Sequence, residues 1–196
     1  MRRAARLRRL AIPLAERHRC ARHIARLLLD RRKLRCARHI GIYLSQGSEL
    51  GTAPAIRALL AHDIQVYVPV VTRLPKKREL YFVRLDKTTP LRRAAYGIRE
   101  PVRRTRHRVA RRLDVVLVPL VAFDDRGGRL GQGGGYYDRS FARRCARRPL
   151  LVGYAYHVQR VDTLPLDAWD VRLDAILTER GFHKCRAFSP FTAGAP

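Results

Sequence analysis

Acid is scarce in this sequence beside its base. Sixteen aspartates and glutamates stand against forty-two lysines and arginines, a formal net charge of +26, and only five of the basic residues are lysine. Serine is missing from the start: the first is Ser45, which argues against an Arg- and Ser-rich transit peptide. Arg6, Arg8, Arg9, Arg17 and Arg19 interrupt the apolar core that a signal peptide would need. Long apolar runs are absent as well. The longest, Val115 to Phe123, holds nine residues including Pro119, whereas a membrane-spanning helix needs about 20. The four cysteines, Cys20, Cys36, Cys145 and Cys185, form no CxxC pair, so free thiols in a reducing compartment are expected rather than a disulfide framework. Together these absences predict a cytoplasmic protein.

The excess of positive charge favours encounter with polyanions such as nucleic acid, anionic membrane, or small phosphate- and carboxylate-bearing ligands. A compositional origin competes with that reading. An Arg-rich, Ala-rich, Lys-poor chain can reflect a GC-rich coding sequence, with the guanidinium groups on solvated faces. Charge speaks to association and not to fold.

An apolar fraction of 46% excludes disorder throughout. The length of 196 residues suits one domain, expected over 1–186 with a loose tail at 187–196. Residues 2 to 29 carry apolar positions at near-helical spacing with arginines between them. One or two basic amphipathic helices broken near Pro13 are therefore predicted. His39 to Leu44 is a β-prone run, Thr52 can cap a helix through His62, and Ile64 to Val71 and Leu80 to Leu85 read as strands. The stretch 86–112 is basic and apolar-poor, and loop is expected there. Asp114 to Pro119 reads as a buried central strand. A glycine-rich loop at 127–135, a helix over Tyr136 to Cys145, and strands at Leu150 to Ala155 and Asp174 to Thr178 complete the pattern. Strands alternating with helices predict an α/β fold, a three-layer α/β/α sandwich with a largely parallel mixed sheet, preceded by a basic N-terminal helical segment.

The pentapeptide CARHI occurs at 20–24 and again at 36–40, so that C-x2-H appears twice and superficially resembles a zinc site. The first copy lies in a helical stretch and the second leads into a strand. The two need not converge, and coincidence is the preferred reading.

Asp114 to Phe141 is the most informative segment. A buried strand runs into a loop with Gly127, Gly128, Gly131, Gly133, Gly134 and Gly135, and a helix starts directly after. Glycine lets backbone approach a ligand, successive N–H groups form an anion nest, and the helix adds its positive dipole end. A phosphate cradle at the carboxyl end of a strand is predicted, where open α/β sheets bind ligands. It follows neither the Walker A nor the dinucleotide spacing, and a flexible glycine turn is the plainer alternative. Arg129 and Arg139 flank the glycines and can pair with phosphate oxygens. Asp138 could ligate Mg²⁺ beside them or simply complement the helix dipole. Tyr136 and Tyr137 wall the pocket or fill the core beneath it.

With LDVVLVPLVAFD before it, RLGQGGGYYDR closely resembles the signature of the 5-formyltetrahydrofolate cyclo-ligase family, whose members are also called methenyltetrahydrofolate synthetases. The similarity extends to Leu44-Ser45 with Glu49-Leu50 and Thr52, and to Tyr96-Gly97-Ile98 with Glu100-Pro101. It continues through Val152-Gly153-Tyr154-Ala155, Gln159, Leu164-Pro165, Trp169-Asp170 and Asp174 to Glu179, covering about residues 37 to 180. The resemblance implies a ligase that converts 5-formyltetrahydrofolate and ATP to 5,10-methenyltetrahydrofolate, ADP and phosphate, with Mg²⁺ as cofactor.

The resemblance also implies site residues. ATP would contact Arg129, Leu130, Gly131, Gln132, Gly133, Gly134, Gly135, Tyr136 and Tyr137. The folate substrate would contact Leu44 and Glu49, and also Gln132 to Tyr136. Asp138 and Asp174 would be the metal carboxylates, and Arg129, Tyr137 and Arg139 the catalytic set. The family opens with a basic helix containing a lysine that touches ATP. Here the first lysine is Lys33, so Arg2, Arg3, Arg6 or Arg9 must serve. Gly51 and His157 also depart from the family pattern. The expected partners are small molecules, ATP and a folate that is polyglutamylated or not, with no membrane and a monomeric state.

Two rivals stand beside this reading. One is a nucleic-acid-binding protein using the basic run Arg103 to Arg108 with Arg111 and Arg112, although no RNP, helix-turn-helix or finger pattern appears. The other is a protein of the same fold that binds nucleotide without ligase activity.

Overall fold

The computed structural model describes residues 1–30, 37–71, 79–93, 99–102, 107–144 and 148–186. Two helices come first, α1 (Arg2–Leu10) and α2 (Leu14–Asp30), with Pro13 at the break, where a proline is tolerated because the first amides of a helix have no partner within it. Then follow β1 (His39–Ile42), α3 (Ala53–Ala61), β2 (Gln65–Val71) and β3 (Leu80–Leu85). Thr52 precedes α3 but does not cap it. Its hydroxyl accepts from the Ser45 amide at 3.1 Å and the Ser45 hydroxyl accepts from the Thr52 amide at 3.2 Å, which closes the loop after β1 on itself.

The stretch expected to be loop contains three short strands, β4 (Leu91–Arg93), β5 (Arg99–Pro101) and β6 (His107–Val109). Each is defined by its pairing partner rather than by its own pattern: β4 pairs with β5, and β6 with β3. The run at 115–118 forms β7 (Val115–Val118), buried at all four positions. Half of the expected glycine loop is a small hairpin, in which β8 (Ala122–Phe123) pairs with β9 (Arg129–Leu130). Next come α4 (Tyr136–Phe141), shorter than expected, then β10 (Leu150–Tyr154), β11 (Ala175–Thr178) and β12 (Gly181–Lys184). The tail expected to be loose, the Tyr96-Gly97-Ile98 segment, Cys36 and Cys145 lie outside the described residues.

Among the described residues the main sheet has eight strands in the order β12-β11-β10-β7-β1-β2-β3-β6. The five central strands run parallel, and β12, β3 and β6 are antiparallel to their neighbours. Each sheet face has its own core. Ile24 and Leu28 of α2 and Ile56 and Leu59 of α3 pack on Ile40, Val66, Leu117 and Val152. On the other face Phe141 of α4, with Ala110 and Leu113, packs on Phe82, Val116, Val118 and Ile176. This is the expected α/β architecture. Helix α1 stands apart from both layers and packs Ala5 against Val121, Ala122 and Leu164, beyond the carboxyl ends of the strands. No described helix is long and apolar enough to cross a membrane.

Candidate functional site

The parallel strands β1, β7, β10 and β11 all present their carboxyl ends to one side, and three loops and helix α1 meet there. The hairpin between β7 and the glycines hangs on Asp124, which is buried. One carboxylate oxygen accepts the amides of Arg126 and Gly128 at 2.9 and 2.8 Å, and the other accepts the Leu164 amide at 3.0 Å. Gly127 is required in this turn: φ is +81°, and an added Cβ would lie 2.4 Å from the Leu173 carbonyl oxygen. Further along, Gly133 has φ of +103°, yet nothing lies within 4 Å of an added Cβ. Internal packing does not call for that glycine. It leaves bare backbone facing open space, as a phosphate cradle requires.

Arg129 and Asp138 form an ion pair at 2.5 Å with both side chains largely buried, and the Arg129 guanidinium lies 5.7 Å from the centre of the Tyr137 ring. Arg139 lies over Tyr136 at 5.5 Å and donates to the Gly134 carbonyl. Both guanidiniums thus stand at the rim of the loop. Burial pushes the Tyr137 hydroxyl well above the ordinary phenol range, so it is a neutral hydrogen-bonding group at physiological pH.

Helix α1 closes the site from above. Arg2 Nε donates to the Gly131 carbonyl at 3.1 Å, and Arg6 donates to the Gln132 side-chain oxygen. Arg3 is exposed and is brought to neither loop. The loop after β1 supplies Glu49, whose Oε2 accepts the Gln46 amide at 3.0 Å. Burial raises the Glu49 carboxyl above its usual range, opposed by hydrogen bonds from Gln46 and Gln132 and by the charge of Arg9. Leu44 is half-buried against the core, which is its packing role whether or not it also meets a ligand. The Gln132 side chain is therefore shared by Arg6 and Glu49, and it joins the glycine loop, the β1 loop and α1.

Asp138 and Asp174 differ in their surroundings. Asp174 lies one residue before β11, at the amino end of the sheet. Its Oδ2 takes Arg144 at 2.5 Å and the Leu151 amide at 2.8 Å, and its Oδ1 takes Arg144 at 3.2 Å. It would join a metal only by giving up those bonds. A carboxylate that sequence reasoning did not select stands closer in the chain to Asp138. Asp138 Oδ1 lies 3.3 Å from the Val171 amide, and the preceding residue, Asp170, is half-buried with its Oδ2 accepting the Asp167 amide at 2.9 Å. The available signal was Trp169-Asp170, matched as part of the closing segment but given no role.

Asp138, with a phosphate cradle beyond it, fits the one or two carboxylates that Mg²⁺ takes in nucleotide sites. Among the described residues no cluster of three or more His, Cys, Asp or Glu forms a cage for a metal by itself, so phosphate oxygens and water would have to complete the coordination. Cys20 and His23 lie on α2 and His39 on β1, beside Asp114.

A model of the 5-formyltetrahydrofolate cyclo-ligase family matches residues 1–179. The 5-formyltetrahydrofolate cyclo-ligase of Haemophilus influenzae is 34% identical over 163 residues, 83% of this chain and 87% of that one. Its counterpart in Escherichia coli K12 is 38% identical over 138 residues, 70% of this chain and 75% of that one. Among solved structures, the 5,10-methenyltetrahydrofolate synthetase of Aquifex aeolicus superposes with a TM-score of 0.81 at 28% identity, covering 98% of this chain and 94% of that one. The Mycoplasma pneumoniae synthetase does so with a TM-score of 0.70 at 26% identity, covering 91% and 96%.

Proposed function

The chain belongs to the 5-formyltetrahydrofolate cyclo-ligase family, and from that premise we propose that it closes 5-formyltetrahydrofolate to 5,10-methenyltetrahydrofolate at the expense of ATP. The observation that carries the reading is Gln132. Its side chain bonds Arg6 on one side and Glu49 on the other, which draws the phosphate cradle and the carboxylate suited to a pterin ring into one site.

In the proposed reaction the formyl oxygen attacks the γ-phosphorus of ATP, and the bond to ADP breaks. The resulting imidate phosphate is an iminium-like electrophile. N10 adds to its carbon and loses its proton, phosphate departs with the C–O bonding pair, and the methenyl bridge remains. Phosphoryl transfer of this kind depends on placement and charge neutralisation more than on covalent help from the protein. Arg2 and Arg6 cover the glycine backbone, Arg129 and Arg139 supply positive charge at its rim, and the neutral Tyr137 hydroxyl offers a hydrogen bond from a buried wall. Glu49 accepts from the pterin N–H groups and orients the ring. Asp138 would hold Mg²⁺, which when bound neutralises charge on the transferring phosphates.

The test follows near-ultraviolet absorbance of 5-formyltetrahydrofolate with purified protein and MgATP. Appearance of the methenyl chromophore that requires ATP and is lost in Asp138→Ala is expected. A folded protein that binds ATP without producing the chromophore would leave only a nucleotide-binding role. The strands β4 to β6 expose Arg92, Arg93 and Arg99, while most of the basic run proposed for nucleic acid, 103–106, lies outside the described residues.

A further inference from the structure

Helical spacing puts Arg2, Arg6 and Arg9 on one face of α1, four and then three residues apart. The first two reach the glycine loop. The third turns to the other loop, where Arg9 Nε donates to Ser48 Oγ at 3.0 Å. Arg9 is 6% exposed, the one arginine in the buried class among the described residues. Burying a guanidinium is costly unless its charge is met. Burial pulls the Arg9 guanidinium down from its ordinary value, opposed first by Glu49, the residue after Ser48.

Apolar contact holds α1 only lightly. Ala5 is fully buried, whereas Leu7 and Leu10 are both more than half exposed. One buried alanine contributes on the order of 1 kcal/mol, so the guanidinium contacts decide whether this helix is docked.

We infer that Arg9 is a positioning residue for the folate side of the reaction: it holds the Ser48–Glu49 turn and supplies the countercharge of Glu49, so that α1 must be docked for folate to be recognised. One helix then serves both substrates, with Arg2 and Arg6 on the nucleotide loop and Arg9 on the folate loop. This inference rests on the reading that Glu49 contacts the pterin. The groups facing Glu49 are Arg9 on α1, Gln46 in its own loop, Gln132 on the glycine loop, Tyr43 after β1 and Tyr137 on α4. Both tyrosines are pushed up by burial and stay neutral from pH 5.5 to 8.5. Glu49 is therefore the acid in this set whose protonation the removal of Arg9 would favour.

The experiment combines turnover with direct folate binding by equilibrium dialysis, from pH 5.5 to 8.5, on the full chain. In Arg9→Gln the KM for 5-formyltetrahydrofolate should rise about tenfold at pH 7, the loss expected for one charge-assisted contact, while the KM for ATP stays within about twofold. The acid limb of kcat/KM for folate should move to higher pH, because Glu49 without its countercharge holds its proton longer. Arg9→Lys should return the limb but not the full affinity, since an ammonium cannot reproduce the Nε contact with Ser48. Ser48→Ala should weaken folate binding without moving the limb.

An equal rise in both KM values, or a limb unmoved in Arg9→Gln, would overturn the inference, and so would folate binding by dialysis that is the same in Arg9→Gln and wild type. If the wild-type protein binds folate but forms no chromophore, the ligase reading fails while the dialysis comparison still decides the role of Arg9. Arg9→Lys preserves the charge and keeps the comparison open if Arg9→Gln does not fold.

Discussion

Asp114 and Asp174 each sit one residue before a parallel strand, and each turns its carboxylate onto the first amides of the neighbouring strand. Asp114 Oδ2 accepts the amides of Arg38 and His39, both at 2.9 Å, and Asp174 Oδ2 accepts that of Leu151 at 2.8 Å. At the other end of the same sheet Glu49 takes one backbone amide, and Asp138 shares Arg129 with a long contact to Val171. The chemistry of the side chain is the same at both ends, but the supply of donors differs. Strand amides stand unpaired at the amino ends and saturate an acid that reaches them. At the carboxyl ends the strands themselves offer carbonyls, so Glu49 and Asp138 keep lone pairs for a ligand, while Asp124, in the hairpin there, is taken up by three loop amides. Asp114 and Asp174 hold the fold, and Glu49 and Asp138 remain available for chemistry.

The sharpest way to break that contrast is to neutralise one acid of each kind. Asp138→Asn should cut turnover by at least about a hundredfold, a loss of about 2.7 kcal/mol in the transition state. Asp174→Asn leaves Arg144 without a buried countercharge, with 15% and 7% of the two side chains exposed in the pair. It should destabilise by about 3 kcal/mol, read as a fall in Tm, with kcat per folded molecule little changed. Loss of turnover in Asp174→Asn at unchanged Tm would make it a metal carboxylate and end the comparison.

Glu49 sharpens the contrast with an opposite sign. Its carboxyl is raised by burial, so the folded protein favours the protonated form. The associated stability is present at acid pH and is lost as pH rises through the folded value. Glu49→Gln removes this titration along with the countercharge of Arg9, so its stability relative to wild type should be more favourable at pH 8 than at pH 5, while folate binding is abolished. Thermal melts at pH 5 and pH 8 check this, and equal Tm differences at the two pH values would refute it.

Asp114 gives a smaller effect in the reverse direction. Burial works against its charge, but the amides of His39 and Arg38 outweigh it and hold the carboxyl below the usual range. That stability is present above the unfolded value, about 3.9, and disappears as pH falls through the folded one. Because 37% of its side chain is exposed, solvent screening keeps the cost of Asp114→Asn below about 1 kcal/mol. Urea melts at pH 7 should resolve that difference, and melts near pH 3 should show it shrinking.

How far these roles could be read in the sequence follows from whether they depend on local pattern. The break at Pro13 and the run at 115–118 are local, and the structure has them where the periodicity and composition put them. The pairs β4 with β5 and β8 with β9 are two or three residues long and exist only through their partners, which leave no periodic trace. Asp124 looked like one acid among several. Only its burial and three amide donors mark it as the support of the hairpin. Arg9 was hidden among similar arginines for the same reason, since burial and not residue type distinguishes it.

Trp169 supplies the weakest signal and one that turns on position alone. It is the single tryptophan of the chain, 71% exposed, and two residues from the amide that contacts Asp138. A large aromatic left in water on a segment otherwise tied to the core by Leu164 and Leu173 has no packing reason to be there. Its emission should change saturably, though slightly, as MgATP is added, because filling the cradle beside Asp138 alters the water and charge around the indole. The change should vanish in Asp138→Asn and persist in Asp174→Asn, since only the first acid belongs to the carboxyl-end site. A titration identical in both variants would place 163–172 outside that site.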